Sequence, residues 1–272
     1  MSEATGLAII GGGKIGEALL SGLLRGSYRA AADIRVVERS PDRGRQLTEQ
    51  YGISVVPVAE AVKSSRTVLI AVKPQDIDEL LAELAGHVGP EHLLVSVAAG
   101  IPTARIEQAL PSGPAVVRCM PNTPALVDEA MTAVCAGSRA DEAHLAEAER
   151  LLSAVGRVVR VPESQLDAVT ALSGRGPAYF FFLVEAMIDA GILLGLPRAL
   201  AEQLIVQTLV GSAVMLRDSG EHPVRLREAV TSPAGTTIAA IRELERHGVR
   251  AAFLSAIEAA SLRSAELGRT AD

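Results

Sequence analysis

The sequence contains no tryptophan, has only 3% aromatic residues and carries a formal net charge of −6. A protein that binds nucleic acid usually presents a basic surface and aromatic side chains on which bases can stack. Neither feature is visible here. We therefore expect no nucleic-acid partner.

Cysteine is also scarce. The chain has two, Cys119 and Cys135, and its N-terminus lacks both the basic segment and the apolar segment of a signal peptide. A reducing, cytoplasmic location is therefore expected. The five histidines are not grouped with other ligand types at the spacing of a zinc site, so no metal site is expected.

Uninterrupted hydrophobic runs are short. A membrane span needs about 20 apolar residues, and the nearest candidate, the helix after Gly176, is interrupted by Glu185 and Asp189. We expect no membrane association. The 272 residues are nevertheless 49% hydrophobic, which is enough to build the core of one large domain or two ordinary ones.

Two patterns divide the chain. Residues 1–161 alternate β-branched runs of strand length with amphipathic segments, which predicts an α/β domain with a mostly parallel sheet. Residues 162–272 show helical periodicity, with Pro177, Pro197 and Pro223 where helices can begin. The sequence therefore predicts an N-terminal α/β domain followed by an all-α domain.

A glycine-rich turn follows the first predicted strand. The segment "IIGGGKIGEALL" places Gly11, Gly13 and Gly16 in G-x-G-x-x-G spacing at the start of a helix. Gly11 allows the tight turn, Gly13 lets the backbone approach a pyrophosphate, and Gly16 lets helix and strand pack closely. Strand, turn, helix and second strand occur in the order that a dinucleotide-binding unit requires.

The end of the second strand, "VVERSPDR", leaves the choice of dinucleotide open. Glu38 stands where an acid would bind a ribose 2′-hydroxyl, which favours NAD. Arg39 and Arg43 favour a 2′-phosphate, as in NADP. A carboxylate about 4 Å from a phosphate charge would cost about 4 kcal/mol at an effective dielectric of 20. Glu38 could turn outward, or it could form a solvated ion pair with the arginines.

Small residues, proline and asparagine follow three further strands, in "AVKPQD", "SVAAG" and "RCMPNTP". Ligands bind at the carboxyl ends of the strands in such sheets. Two later helices begin after segments of small residues, "SGRGPAY" and "TSPAGTTI". Each helix start could present free N–H groups to an anion, so the pair could bind one small carboxylate.

The segments "GGGKIGEALLSGLL", "AVKP", "VRCMPNTP", "SGRGPAY", "GLPR" and "SPAGTTIAAIRELE" closely resemble the pyrroline-5-carboxylate reductase family, in order and over nearly the whole chain. The resemblance implies an N-terminal Rossmann domain and a C-terminal helical domain through which protomers form dimers, with decamers in several members. It also implies the NAD(P)H-dependent reduction of 1-pyrroline-5-carboxylate to L-proline. NADPH is the favoured coenzyme and NADH the alternative.

The resemblance also assigns residues to the site. Those implied to bind the coenzyme are Ile10, Gly11, Gly12, Gly13, Lys14, Ile15, Gly16, Arg39, Ser40, Ala71, Val72, Lys73, Pro74, Val97, Ala98, Ala99, Met120, Pro121 and Asn122. Those implied to bind the substrate are Ser173, Gly174, Arg175, Gly176, Thr236 and Thr237. Thr237 matches the threonine that would hydrogen-bond the ring nitrogen, and it is the expected catalytic residue.

Three positions depart from the family pattern. Arg175 replaces the second serine of Ser-Gly-Ser-Gly, and it could pair with the substrate carboxylate, turn to solvent, or reshape the pocket. Ala234 replaces the first glycine of Ser-Pro-Gly-Gly and would be unfavourable at a positive φ. Ala229 stands where relatives often have a polar residue.

Other functions remain possible from the sequence. A β-hydroxyacid dehydrogenase would need a general-base lysine in the first interdomain helix, and Ala178–Leu194 contains none. A reductase of a six-membered cyclic imine, or a non-catalytic NAD(P)-binding regulatory protein, would fit the same motifs. Reduction of a protonated C=N bond depends mainly on alignment of the two rings and exclusion of water, and less on a titrating side chain.

Overall fold

Eight strands form one sheet in the order β3-β2-β1-β4-β5-β6-β7-β8 in this computed structural model, which describes residues 6–269. The pairs are parallel except for β6 and β7, which are antiparallel. The strands are β1 (Gly6–Ile10), β2 (Ile34–Val37), β3 (Ser54–Val55), β4 (Ser65–Ile70), β5 (Leu93–Ser96), β6 (Ala115–Met120), β7 (Ala130–Ala136) and β8 (Gly156–Arg160).

Twelve α-helices are described in the same residues, and short 3₁₀ turns connect several of them to strands. The helices of the first part are α1 (Lys14–Arg25), α2 (Pro41–Tyr51), α3 (Val58–Lys63), α4 (Ile77–Leu84), α5 (Thr103–Ala109) and α6 (Glu142–Leu152). The later helices are α7 (Leu166–Val169), α8 (Gly176–Leu193), α9 (Arg198–Ser219), α10 (Pro223–Ala229), α11 (Thr236–Arg246) and α12 (Val249–Arg269).

Helices cover both faces of the sheet, as its apolar strands require. In β1, Leu7 and Ile9 pack with α1, α2 and α6, whereas Ala8 and Ile10 pack with α3, α4 and α5. Successive side chains of a strand point to opposite faces, so a strand between two helical layers is apolar throughout. The predicted mostly parallel, Rossmann-like sheet is confirmed.

Local sequence accounts for where several helices begin. Ser40 caps α2 by accepting a hydrogen bond from the Arg43 amide, and Pro41 occupies the first helical position, as predicted. Asp141 and His144 form a reciprocal capping box at the start of α6. The strands and helices predicted before residue 161 are present, although β3, α3, α4 and α5 were not individually anticipated.

The described residues form two compact units. The first contains residues 6–175 and 260–269, and the second contains Gly176–Ala259. The predicted boundary between residues 161 and 162 marks a different feature, the change from strands to helices: β8 ends at Arg160. Helix α12 contributes residues to both units. A boundary drawn from secondary structure alone does not show this division of the helix.

Helices α8 and α9 are the longest apolar elements of the second unit. They pack closely where Gly191 faces Ala201, because a Cβ added to Gly191 would lie 2.9 Å from the Cβ of Ala201. By length and composition alone, residues 163–193 and 198–219 would suffice to span a membrane. Gly176 and Ala201 are the only buried residues that the structure records in these two helices.

Candidate active site

The glycine turn has the geometry that its spacing predicts. Gly11 has a φ of +106°, and an added Cβ would lie 2.6 Å from the carbonyl oxygen of Ala71. A Cβ on Gly16 would lie 1.9 Å from the carbonyl oxygen of Gly11, so α1 can approach the turn only with glycine at that position. A Cβ on Gly13 would meet nothing within 4 Å, which leaves its backbone open to a ligand.

Helix α1 begins directly after this open backbone. Gly13 is its N-cap residue and no side chain caps the helix. The first amides of a helix have no partner within the helix, and the helix dipole adds positive potential at the same end. The turn therefore fits a pyrophosphate.

A groove of about 790 Å³ extends over this turn. We call it the glycine-loop groove. Of the predicted coenzyme-binding residues, Ile10–Lys14, Arg39 and Ala71–Lys73 line it, whereas Ile15, Gly16 and Ser40 do not. Glu38 and Arg43, which the sequence placed near the ribose 2′ position, also line the groove. The groove is further lined by residues that were not predicted to contact the coenzyme: Val37, Val55, Val56, Pro57, Val58, Asp76, Leu80 and Glu83.

Glu38 turns into the groove and not outward. Its carboxylate accepts hydrogen bonds from the amides of Gly12, at 2.9 Å, and Ser40, at 2.8 Å. The carboxylate therefore fixes the end of β2 to the glycine turn. It also places a negative charge at the position where a ribose 2′ substituent would lie.

The two neighbouring arginines do not form the ion pair with Glu38 that the sequence left open. Arg39 pairs with Glu79 at 2.9 Å and Asp76 at 3.9 Å, and it is more than half exposed. Arg43 donates to the carbonyl oxygen of Gly12 at 3.0 Å and pairs with Glu17. Arg39 is thus the more exposed of the two and the freer to re-pair with a ligand phosphate.

Asn122 joins two of the predicted site segments. Its side-chain amide donates to the carbonyl oxygen of Ser173 at 3.3 Å, and its side-chain oxygen accepts from the amide of Met131 at 3.0 Å. Beside it, a Cβ added to Gly174 would lie 2.5 Å from the Cε of Met120. The structure therefore brings the end of β6 into contact with the segment expected to bind substrate.

The segment that contains Ser173 and Gly174 is not the open loop that its small residues predicted. Residues Thr170–Gly174 form a π-helical turn between α7 and α8, and the amide of Arg175 donates to the carbonyl oxygen of Thr170 at 2.9 Å. The Arg175 amide is therefore not free for an anion. A π-helical turn of this kind is often found at functional sites.

Arg175 lines a second cavity of about 670 Å³, which lies entirely within the first unit. We call it the Arg175 cavity. It also contains the predicted coenzyme residues Pro74 and Ala99, together with Arg105 and Arg263. Arg105 is held by Asp78 and Arg263 by Glu266, whereas the Arg175 guanidinium has no ion pair among residues 6–269. This cavity can accept an anion.

The remaining predicted residues of the first unit lie at the carboxyl ends of β5 and β6. Ala98 and Pro121 are buried, and Val97 is half-buried, so these residues shape the rim through their backbone. None of Val97, Ala98, Met120, Pro121 and Asn122 lines the glycine-loop groove.

The second unit contains the other predicted substrate residues. Thr236 and Thr237 form the first turn of α11, Thr237 is half-buried, and no side chain caps this helix. Ala234, just before it, has a φ of +53°, the unfavourable case for an alanine. The helix start therefore has the uncapped amides that the sequence predicted, at some cost in backbone strain.

One buried polar cluster was missed by the sequence analysis. Arg118 on β6 is only 8% exposed and pairs with Glu163 at 2.9 Å, while Thr103 donates to Glu163 through its amide and its hydroxyl. The available signal was an arginine within the apolar run "AVVRCM", because a buried charge needs a partner.

Thiol and metal chemistry receive no support from the described residues. Burial raises the pKa of Cys135 to about 11 and raises that of Cys119 well above its ordinary value, so both thiols stay protonated. No group of three or more His, Cys, Asp or Glu side chains within residues 6–269 is arranged to hold a metal ion.

Comparisons with known proteins agree with this architecture. The family described as "Pyrroline-5-carboxylate reductase dimerisation" matches residues 163–267, and that described as "NADP oxidoreductase coenzyme F420-dependent" matches residues 6–100. A pyrroline-5-carboxylate reductase of Corynebacterium melassecola is 46% identical over 97% of this chain and 99% of its own. That of Mycobacterium tuberculosis is 48% identical over 96% of each chain.

Solved structures give the same result. A pyrroline-5-carboxylate reductase from Coxiella burnetii superposes with a TM-score of 0.91 at 35% identity, covering 97% of this chain and 99% of that one. The Plasmodium falciparum enzyme, solved with NADP bound, gives 0.87 at 26% identity, covering 98% and 99%. Sheet, glycine turn and groove define a Rossmann-fold oxidoreductase of the nicotinamide-dependent class. Within that class, the chain belongs to the pyrroline-5-carboxylate reductase family.

Proposed function

We propose that this protein reduces 1-pyrroline-5-carboxylate to L-proline with a nicotinamide coenzyme, the last step of proline biosynthesis. The observation that carries the proposal is the contact between Asn122 and Ser173. It joins the rim residues expected beside a nicotinamide to the segment expected beside the substrate. Membership of the family supplies the chemistry of that substrate.

The glycine-loop groove fits the coenzyme. The open backbone at Gly13 and the uncapped start of α1 suit its pyrophosphate, and Val72 and Lys73 lie at the adjacent strand end. When bound, the reduced coenzyme supplies a hydride to the carbon of the C=N bond. Hydride transfer depends mainly on alignment of the two rings and exclusion of water, and less on a protein acid or base.

The substrate is held in this proposal by Ser173–Gly176 and by Thr236–Thr237. The uncapped amides of α11 favour the carboxylate, and the Thr237 hydroxyl hydrogen-bonds the ring nitrogen. The nitrogen proton comes ultimately from solvent. The product would carry one new C–H bond from the hydride and one N–H proton from solvent.

NADPH is the favoured coenzyme and NADH the alternative. Arg39 can leave Asp76 and Glu79 for a 2′-phosphate, because its present ion pairs are exposed. Glu38 acts in the opposite direction, since its carboxylate lies in the groove and suits a 2′-hydroxyl. Comparison of kcat/KM for the two coenzymes measures which side chain dominates.

Self-association through the helical unit accounts for its exposed apolar surface. Phe180, Phe181 and Phe182 on α8 are each more than half exposed, as are Leu193 and Leu194 at its end. So large an apolar surface marks an interaction site, and residues 163–267 match a dimerisation family. We propose that a second copy covers it, in a cytoplasmic dimer or in a decamer built from five dimers, without a membrane or nucleic-acid partner.

The proposal is tested by following coenzyme oxidation at 340 nm with two imines, 1-pyrroline-5-carboxylate and its six-membered homologue, and with both coenzymes. We expect the highest kcat/KM with the five-membered ring and NADPH. Faster turnover of the six-membered ring would instead identify a different imine reductase. Coenzyme binding without turnover of either imine would identify a regulatory protein.

A further inference from the structure

A partly buried carboxylate ties together three segments of the first unit. Glu163 accepts from the Thr103 amide at 2.8 Å, from the Thr103 hydroxyl at 2.7 Å and from the Arg118 guanidinium at 2.9 Å. We call this group the Glu163 junction. Thr103 and Arg118 are both buried, whereas the Glu163 side chain is 31% exposed.

Each segment of the junction leads to a different part of the proposed site. Thr103 opens α5, shortly after the rim residues Val97–Ala99. Arg118 lies two residues before Met120 on β6. Glu163 begins the helical segment whose π-helical turn ends at Gly174. The Glu163 carboxylate therefore connects the segments expected to lie beside the coenzyme with the segment expected to bind the substrate.

In the Glu163 junction, the carboxylate and the Arg118 guanidinium carry opposite charges. Burial alone would raise the pKa of Glu163, but the hydrogen bonds from Thr103 and Arg118 outweigh it and hold that pKa below its ordinary value. Glu163 is therefore ionised at neutral pH, and it is the only carboxylate within residues 6–269 that pairs with the buried Arg118. A neutral side chain of the same shape would leave that guanidinium without a counter-charge.

We propose that Glu163 is a positioning residue for the reduction, holding Ser173–Gly174 and the Val97–Ala99 rim in register with the end of β6. The inference rests on the proposed function. Asn122 makes the direct contact with Ser173, and Glu163 fixes the two backbones that this contact joins. Loss of the junction displaces the imine relative to the hydride donor while leaving the glycine-loop groove intact.

Two variants test the junction, each with a matched control. Glu163→Gln keeps the shape and removes the charge, and Glu149→Gln makes the same change at the Arg160 network between α6 and β8, which ties no site segment. Thr103→Val removes the hydroxyl donor, and Thr103→Ser restores it. The readouts are kcat, KM for each substrate, NADPH dissociation constant and far-UV circular dichroism.

We expect Glu163→Gln to lower kcat about tenfold, because displacements of the order of an ångström cost that much or more in aligned reactions. The NADPH dissociation constant should stay within about twofold. Thr103→Val should also lower kcat. The kcat values of Thr103→Ser and Glu149→Gln should be close to that of the unaltered protein.

Native kcat in folded Glu163→Gln, or a Thr103→Val defect that Thr103→Ser does not relieve, would overturn the inference. Should Glu163→Gln fail to fold, the pair of Thr103 variants decides alone. An unaltered protein that does not turn over the imine would overturn the proposed function and this inference with it. If the unaltered protein is active and the Glu163→Gln and Thr103→Val variants are equally active, only the inference about Glu163 is overturned.

Discussion

Thr237 is the residue on which the proposed proton chemistry rests. It lies half-buried in the first turn of α11, and its hydroxyl makes no hydrogen bond within residues 6–269. A hydrogen bond to a charged iminium group contributes about 1.5–3 kcal/mol. We therefore predict that Thr237→Ala lowers kcat/KM for the imine about tenfold or more, with NADPH affinity nearly unchanged, in steady-state and binding assays.

Thr237→Ser is the matched control, since it keeps the hydroxyl and should retain most of the activity. Unchanged turnover by Thr237→Ala would remove this residue from the mechanism.

Arg175 is the departure from the family pattern that lies within the Ser173–Gly176 segment expected to bind substrate. Its guanidinium is exposed, lines the Arg175 cavity and has no ion pair among the described residues. An exposed ion pair contributes up to about 1 kcal/mol. We predict that Arg175→Ser raises KM for the imine about three- to fivefold, measured by initial rates.

The exposed Arg157 on β8 supplies the control, because Arg157→Ser removes the same charge without touching the cavity. A lower KM in Arg175→Ser would mean that the arginine obstructs the pocket, contrary to this account.

Ala234 shows that the chain tolerates strain before α11. An alanine at a φ of +53° is less favourable than a glycine by about 1 kcal/mol. Ala234→Gly should therefore raise the free energy of unfolding by about that amount, measured by urea denaturation. Ala239→Gly, inside the same helix, should lower it by a similar amount. Destabilisation by Ala234→Gly would contradict the strain argument.

At the scale of an element, the turn between β1 and α1 contains one glycine that is needed for folding and another that is needed for coenzyme binding. A methyl group on Gly13 meets nothing within 4 Å, whereas one on Gly16 would lie 1.9 Å from the Gly11 carbonyl oxygen. We predict that Gly13→Ala keeps the native Tm and binds NADPH at least tenfold more weakly, because the methyl group occupies the space of the pyrophosphate. Gly16→Ala should lose about 1–3 kcal/mol of stability.

Thermal unfolding and coenzyme titration distinguish the two effects. Gly86→Ala is the control, since its added methyl group also meets nothing within 4 Å and lies away from the turn. Native coenzyme affinity in Gly13→Ala would exclude that backbone as the pyrophosphate site.

Elements with strong local signals were predictable and elements fixed by distant contacts were not. The glycine spacing and the Ser40–Pro41 start of α2 are encoded locally, and both are confirmed. The π-helical turn at Thr170–Gly174 was missed because small residues resemble a loop. The orientation of Glu38 was left open by the sequence, since it depends on the amide of Gly12, 26 residues away.

At the scale of the whole molecule, the two compact units have different surfaces. The first buries apolar side chains on both faces of its sheet, whereas α8 and α9 of the second leave large ones exposed. The change from strands to helices near residue 161 was predictable from periodicity. The return of residues 260–269 to the first unit was not, because α12 is one continuous helix without a local break.

Dimerisation provides the prediction at this scale. Phe181 is 70% exposed on α8, so a charge there would be buried in the proposed interface without a partner. Phe181→Glu should shift the protein from dimer or larger assemblies toward monomer in sedimentation velocity. Val159→Glu, on an exposed position of β8, should leave the mass unchanged. An unaltered assembly in Phe181→Glu would place the interface elsewhere.

The central claim is direct hydride transfer from a coenzyme in the glycine-loop groove to the carbon of a cyclic imine. The most direct test incubates the protein with 1-pyrroline-5-carboxylate and NADPH deuterated at the transferable C4 position, and locates the label in the product by NMR. The account predicts one deuterium per proline, bound to Cδ, the former imine carbon. Proline without that deuterium, or with deuterium at Cα, would contradict it.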